Sequence, residues 1–592
     1  MNKRKLELTW IGKEARPKLE PRILLEDSSM SYHAKTRKSA ADLFNNRLIF
    51  GDNLLALKAL EQEFTGAVKC IYIDPPFNTQ QAFEHYDDGI EHSIWLSLMH
   101  DRLKILQSLL TKDGTLFVHI DDNELGYLIA LLDEIFGRKN RVSIITFKQG
   151  APTGHKAINP GVVTTTNFLL IYARDKAQWK PNRLYTGRER DKRYGQFLVN
   201  PKDSHLNWRL TTLSTAFSAK CGKKITDLRK ELGAKRLEEL LNEFVIEHAS
   251  QVVQLVRPDY EAVSDAARKM IDESLANPET IYLLKRESHS DMYFKGGQRF
   301  IFYREKLKDI DGVLVAGEPL TSLWDDLLSN NLHKEGGVDF PKSKKPEALI
   351  KRCIELATEP GDLVLDSFAG SGTTGAVAHK MSRRWIMVEL GEHCHSHVIP
   401  RLKSVIDGTD HGGITEAVGW FGGGGYRYFT LAPSLLQKDQ WGNWVVNKAY
   451  NAANLAAAIC KLEGFTYAPS DVHYWQHGFS TETDFIYVTT QTLNADQLQA
   501  LADEVGEEKS LLVCCSAFKG DSNRYPNLTL KKIPKMVLAK CEWGKDDYSL
   551  NVKNLPMHQE VEQSADTALG KSKKAKQVSL FDADASYGIA LK

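Results

Sequence analysis

Leu363-Val364-Leu365-Asp366-Ser367-Phe368-Ala369-Gly370-Ser371-Gly372-Thr373-Thr374-Gly375 is the stretch whose reading decides the fold. A short apolar run ends in a carboxylate, a glycine-rich turn follows, and a helix-forming segment continues to His379. Glycines permit unusual dihedrals and close approach of backbone to a ligand. In open α/β sheets that ligand sits beyond the carboxyl end of the strand. Three readings compete. Gly370, Gly372 and Gly375 fit the dinucleotide fingerprint formally, which is weak evidence by itself. A phosphate-binding P-loop is excluded, because no Gly-Lys-Ser/Thr follows. A tight structural turn stays open. Asp366 weighs against a pyrophosphate, which it would repel, and for a ligand with a sulfonium or an α-ammonium, which it would attract. S-adenosylmethionine (SAM) carries both. Glu389 ends the next strand, 19 residues after Gly370, where it could accept from ribose hydroxyls.

Working outward, the spacing predicts further strands at Leu48–Phe50, Cys70–Ile73, Thr115–Ile120, Val142–Phe147 and Trp385–Val388. Helices are predicted from Asn53, over Glu124–Phe136, over Glu347–Ala357, and through Trp95, Leu98, Met99, Leu103, Leu106 and Leu110, the last broken by Gly114. Strands alternating with helices imply a mainly parallel sheet covered on both faces. From 151 to 320 this rhythm stops, apart from long helical stretches such as Ile225–Glu247, and it resumes near 345. A further α/β block covers 431–557, with strands at Phe485–Thr489 and Leu511–Cys514. Residues 1–45 read as an irregular polar arm and 558–592 as a disordered, lysine-bearing tail.

The second decisive motif is Asp74-Pro75-Pro76-Phe77-Asn78-Thr79, directly after the apolar run Cys70–Ile73. Two prolines fix φ and remove two donors, making a rigid turn with carbonyls available. Asp74 and the Pro75 carbonyl could then both accept from one exocyclic amine, and Phe77 offers a face for a base. The amine of a nucleobase is a poor nucleophile because its lone pair is delocalised into the ring. Two acceptors on its hydrogens favour a pyramidal nitrogen and aim the lone pair at a methyl carbon, by orientation and electrostatics alone. A base in a duplex must leave the stack to reach such a pocket.

Composition is that of a globular protein: 42% hydrophobic, 26% charged, net charge +1. No run is long and apolar enough for a membrane span, and the charged N-terminus is followed by no apolar secretory segment, so neither membrane nor secretion is expected. Eight cysteines without paired CxxC spacing point to a reducing cytoplasm. The charge is uneven. Residues 181–236 hold 14 Lys/Arg against 5 Asp/Glu, with Tyr185, Tyr194, Gln196, Phe197, Asn207 and Trp208 interleaved. Such a patch suits phosphate and base contacts, or else a solvated helical face. His393, His395 and His397 surround Cys394, but only His393 and His397 share a helical face, so no metal site is expected. Gly422–Gly425 reads as a flexible connector.

Taken together, these motifs resemble the DNA amino-methyltransferases that act on adenine N6 or cytosine N4. In them an (Asp/Asn/Ser)-Pro-Pro-(Tyr/Phe) tetrad is catalytic and a Phe-x-Gly-x-Gly loop binds SAM. Here the tetrad precedes the loop with a long insertion between, the order of the β subgroup, whose insertion recognises the target. The resemblance implies a SAM-dependent, Rossmann-like doubly wound α/β sheet in circularly permuted motif order. It implies an N-terminal arm (1–45), a catalytic half (46–150), a target-recognition insertion (151–320) and a SAM-binding half (321–430), followed by a C-terminal α/β domain (431–557) for dimer or partner contact. It assigns catalysis to Asp74, Pro75, Pro76 and Phe77. It assigns SAM to Asp52 near the adenine, to Asp366, Phe368, Ala369, Gly370, Ser371, Gly372 and Thr373, and to Glu389 at the ribose. Lys345-Pro346 matches the motif upstream of the SAM loop.

Trp324-Asp325-Asp326…Asn331 and Gly422-Gly-Gly-Gly425-Tyr-Arg-Tyr428 extend the likeness to modification subunits of type III restriction–modification systems. Those subunits are adenine-specific, act on double-stranded DNA, form homodimers and partner a helicase–nuclease restriction subunit in the prokaryotic cytoplasm, at the nucleoid. Phe77 departs from the commoner tyrosine and loses a hydroxyl while keeping the stacking face. Gln577-Val578-Ser579-Leu580-Phe581 resembles peptides that dock on the bacterial sliding clamp. Rival readings are a solitary adenine methyltransferase, an N4-cytosine enzyme and a recognition subunit without catalysis. A nicotinamide dehydrogenase is a fourth, but it explains neither the tetrad nor the insertion.

Overall fold

The computed structural model describes residues 7–77, 92–150, 161–287, 289–327, 332–337 and 344–549. Asn78, Thr79, Asn331, the tail 558–592 and the clamp-like peptide lie outside the described residues. An eleven-stranded sheet organises the chain. Its strands are β1 (Leu24–Glu26), β2 (Tyr32–His33), β3 (Asn46–Phe50), β4 (Val68–Ile73), β5 (Leu110–Ile120), β6 (Arg141–Lys148), β7 (Thr166–Ala173), β8 (Leu323–Trp324), β9 (Leu363–Asp366), β10 (Arg384–Glu389) and β11 (Gly425–Leu431). They lie in the order β1-β11-β3-β10-β9-β4-β5-β7-β6-β8, with β2 also paired to β11. The six strands from β11 to β5 are mutually parallel, and β7 runs against β5 and β6.

Alternation along each strand sends side chains to two apolar layers. On one face Ile71, Ile73, Leu116, Val118, Leu365 and Ile386 pack with Leu54, Trp95, Met99, Leu103 and Leu128 from helices α1 (Asn53–Phe64), α2 (His92–Leu109) and α3 (Leu125–Leu132). On the other, Cys70, Tyr72, Phe117, Val364 and Met387 pack with Leu349, Ile350, Val377 and Leu402 from α4 (Glu347–Ala357), α5 (Thr373–Lys380) and α6 (Ile399–Asp407). A fully buried leucine contributes on the order of 2 kcal/mol, so these layers dominate the stability of the sheet.

The insertion builds its own antiparallel six-stranded sheet from strands between Gln196 and Phe302. The helices Leu213–Cys221 and Ile225–Glu247 share a core with it. The later block carries a five-stranded sheet whose last three strands, Asp484–Val488, Ser510–Cys515 and Leu528–Lys532, are parallel.

Several expectations need correction. Helix α2 stops at Leu109, not at Gly114; Leu110 already pairs with Val68, and Gly114 lies inside β5 next to a register shift. Strand pairing outcompetes the apolar periodicity there, because Ala67 N–H captures the Leu109 carbonyl. Residues 7–45 are not simply irregular: β1 and β2 pair with β11, and Glu20 and Arg22 are buried. Gly422–Gly425 is a packed segment rather than a flexible connector. Gly423 N–H donates to Ile406 O, and a Cβ at Gly424 would lie 2.6 Å from Leu43 O. All eight cysteines are free thiols. Among the described residues no helix is long and apolar enough to cross a membrane.

Candidate active site

The register of the parallel core brings together residues far apart in sequence. Leu365 lies opposite Ile71 on one side and Ile386 on the other, so β4, β9 and β10 end at one edge. That edge carries Asp74, Asp366 and Glu389. It is also where the strand order reverses, with β4 and β5 to one side of β9 and β10 and β3 to the other, the place where open α/β sheets form a crevice.

The tetrad is held rigidly. Pro75 is buried, and the buried Trp95 of α2 donates its Nε1–H to the Pro76 carbonyl at 2.7 Å. Asp74 lies between two partners that motif reading did not assign to it. Lys345 Nζ sits 2.9 Å from Oδ2, and His119 Nδ1 faces Oδ1 at 3.3 Å. Asn167 Nδ2 lies 2.9 Å from His119 Nε2; with that amide as the donor, the ring proton sits on Nδ1, the nitrogen that faces Asp74. Burial holds His119 neutral, far below its ordinary pKa. Burial likewise raises the Asp74 carboxyl, and Lys345 opposes that rise. Phe77 packs beside His119, ring centroids 5.2 Å apart, with the Lys345 ammonium 4.8 Å from its centroid.

The glycine loop is shaped by hydrogen bonds to both acids. Asp366 accepts from Phe368 N–H (2.9 Å) and from Thr374 Oγ1 (2.5 Å). Burial, with the Asp74 and Glu389 charges nearby, raises it to about 7. Glu389 accepts from Gly370 N–H at 2.7 Å, and its other oxygen accepts from Leu390 and Gly391 N–H. Its carboxylate thus ties the loop to β10. Ala369 N–H bonds to the Val388 carbonyl, and Gly370 and Gly372 adopt positive φ. A Cβ on Gly372 would lie 2.9 Å from Val398, and one on Gly375 2.3 Å from Met387 Cε. Ser371 and Thr373 rest on Arg401, which also bonds Glu347; Lys380 joins Glu347 to Asp410. All of these charged side chains are buried.

Asp52 is placed at the same edge but is largely committed to the protein. It caps α1 through Leu55 N–H, and its other oxygen accepts from Tyr548 N–H at 2.9 Å and faces Arg102 Nη2 at 3.6 Å. Asn53 donates to the Ser367 carbonyl and accepts from Arg102, linking this strand end to the glycine loop. His119, Asn167 and Arg102 belong to no short motif, and Asn53 stands beside Asp52 in Gly51-Asp52-Asn53 without a role assigned to it. A histidine and an asparagine at inward positions of apolar strands were the available signal.

The residues present fit SAM. Asp366 is a buried acid whose pKa burial raises to about 7, and a neighbouring cation would favour its charged form. Ser367 Oγ is buried without a hydrogen-bond partner among the described residues, next to the loop. The histidine cluster does not converge. His395 bonds Tyr428 and His393 faces Glu389, and among the described residues no group of three or more His, Cys, Asp or Glu is placed to hold a metal ion.

The basic segment 181–236 is less positive in three dimensions than in one. Arg188, Arg190, Arg193, Lys220, Lys223 and Arg236 each pair with a carboxylate, several of them beyond the counted window, such as Glu238, Glu239 and Glu247. Tyr194 and Phe197 are core residues of the insertion rather than surface contacts.

Among known proteins the chain is similar to the HindVI Mod subunit of Haemophilus influenzae, by its name a type III restriction-modification enzyme. The two are 35% identical over 66% of this chain and 54% of that protein. The StyLTI Mod subunit of Salmonella typhimurium, also named type III, is 28% identical over 56% of this chain and 49% of its own length. The type II methyltransferase M.EcaI of Enterobacter cloacae is 26% identical over 63% of this chain and 73% of its own. The chain therefore spans about half the length of the two Mod subunits. The DNA methylase family of the N6/N4 type matches residues 68–399, a span that includes the tetrad, the insertion, the glycine loop and Glu389; this chain belongs to that family.

Proposed function

We propose that this chain transfers the methyl group of SAM to the N6 amine of adenine in double-stranded DNA, as the modification subunit of a type III-like restriction–modification system. The observation that carries the reading is the juxtaposition of β4 and β9. It sets a rigid Asp-Pro-Pro-Phe turn beside a buried acid and a positive-φ glycine loop. Asp366, the loop Phe368–Thr373 and Glu389 would hold SAM, with Asp52 bordering its adenine end. When bound, SAM would supply the methyl on a positively charged sulfur that departs as a neutral thioether.

The rest is done by the protein. Phe77 stacks the extrahelical base, and Asp74 and the Pro75 carbonyl accept from its amine. That grip favours a pyramidal nitrogen with its lone pair toward the methyl carbon. The nitrogen gains the methyl as the methyl–sulfur bond breaks, and the proton it sheds passes to the Asp74 carboxylate that already accepts from it. Trp95 fixes the turn, so little reorganisation is needed when the base arrives. The insertion would read the DNA sequence. A homodimer, a helicase–nuclease partner and a prokaryotic cytoplasmic setting complete the proposal, supported by the type III names of two relatives.

Adenine is favoured over cytosine by the aspartate at position 74, on the family resemblance rather than on geometry. The test is transfer of radiolabelled methyl from SAM to mixed-sequence DNA, followed by nucleoside analysis. N6-methyladenine is expected. N4-methylcytosine would move the enzyme to the other amine, and absence of transfer would overturn the reading.

A further inference from the structure

Lys345 directly precedes Pro346 and α4, and it belongs neither to the tetrad nor to the glycine loop. Its ammonium nevertheless lies on Asp74 Oδ2, with the Phe77 ring 4.8 Å to the other side, and its side chain is nearly buried. Its neighbours in sequence reach the opposite half of the crevice. Lys344 donates to the Glu335 carbonyl, and Glu347 bonds the Arg401 that supports Ser371 and Thr373. Lys345 is thus mounted on the platform of the glycine loop while touching the tetrad.

The groups that face Asp74 define what this contact does. From β5 comes His119, neutral and held by Asn167; it faces Oδ1 at 3.3 Å and brings no charge. From β4 itself comes Tyr72, whose hydroxyl lies 3.4 Å from His119 Nδ1. From β9 comes Asp366, a second acid whose charge opposes that of Asp74. Among the described residues Lys345 is the only cation in contact with Asp74. A buried carboxyl beside a second acid tends to take up a proton. A protonated Asp74 would turn one oxygen into a donor and offer the amine only a neutral carbonyl, a weaker acceptor than an anion.

Resting on the methyltransferase reading, we infer that Lys345 is a positioning residue for the reaction: it keeps Asp74 in its acceptor form, at a fixed place beside Phe77, so that the target amine meets an anion. The ammonium does not itself take the amine proton, since an ammonium nitrogen has donors and no acceptor.

The experiment compares the pH dependence of kcat in the parent, K345R and K345M, with SAM affinity measured in parallel. In K345M the acid limb is expected to move up by about one pH unit or more, tenfold in the ionisation equilibrium per unit. Activity should recover at alkaline pH, SAM binding should stay within about twofold, and K345R should stay near the parent. A K345M profile parallel to the parent, or lowered equally at every pH, would overturn the inference. If the parent methylates no DNA, the functional reading fails separately. Lys345 is then tested by infrared difference spectra against D74N. The carbonyl band of a protonated Asp74 should persist to higher pH in K345M than in the parent, and an unmoved band would overturn the inference.

Discussion

The crevice and the insertion use the same charged residue types to opposite ends. Under the glycine loop, Glu347, Lys380, Arg401 and Asp410 are buried and interlocked, each touching at least one of the others. On the insertion, Lys220–Glu247 joins two helices, Lys223–Glu231 ties the turn between them to the second helix, and Arg236–Glu239 lies along that helix; all three pairs are exposed. A buried charge without its partner is costly, so the first set locks geometry. An exposed pair contributes little, so the second set is free to exchange its partners for phosphates. The difference separates a site that must not move from a surface that must adapt.

The largest effect expected falls on Asp74 itself. D74A should lower methyl transfer on the order of a thousandfold, the scale of losing one preorganised polar group at a reacting centre. SAM affinity, measured by calorimetry, should persist. Equal loss of both would show that the tetrad and the loop are one structural unit rather than two halves with separate tasks.

Next in size is the buried ionic platform. E347A leaves Lys380 and Arg401 short of a partner at zero exposure and should destabilise the protein by about 3–5 kcal/mol in denaturant unfolding. A loss below about 1 kcal/mol would mean that water replaces the carboxylate and that the platform is softer than its burial implies.

Asp366 gives a smaller effect with a definite sign. Its folded pKa, about 7, lies above the ordinary value of 3.8, so between the two the folded protein holds a proton there that the unfolded chain releases. Stability from this group is fully present below pH 3.8 and is lost as pH rises to about 7. D366N removes the penalty. In thermal melts without ligand it should gain on the parent at pH ~8 relative to pH ~5, by at most a few kcal/mol, while SAM binding weakens. A gain independent of pH would show that burial does not raise this acid and would remove the argument that it favours a cationic ligand.

The crevice was legible because its chemistry is written in contiguous words. Leu363–Gly375 and Asp74–Phe77 each combine a buried strand with the turn that ends it, and periodicity finds both. The partners of Asp74 were not legible in that way. His119, Asn167 and Lys345 come from three separate segments, and only the register of β4, β5 and β7 brings the first two to one place. The end of α2 failed for a related reason: Leu110 fits the helical pattern, but pairing with Val68 is a tertiary event. Asp52 shows a milder shift. The acid stands at the strand end as the motif implies, yet a backbone N–H from Tyr548, nearly 500 positions away, takes part of its capacity. The insertion was the least legible, since its charge count included cations whose carboxylate partners sit beyond the counted stretch.

That last point sets the smallest and most discriminating prediction. Removing two exposed insertion cations together, Lys220→Ala with Lys223→Ala, should change stability by less than about 1 kcal/mol, because each pair is solvated and screened. If these lysines leave Glu247 and Glu231 for the DNA backbone, the variant loses affinity equally for every sequence. The slope of log affinity against log salt should then shrink by about one for each phosphate contact removed. An unchanged slope would show that the helix pair only solvates itself. Contact with DNA would then have to come from other cations of 181–236, such as Arg229 and Lys230, which pair with no carboxylate among the described residues. Either result sharpens the contrast with the crevice, where removing one charge is expected to cost several kcal/mol whatever the salt.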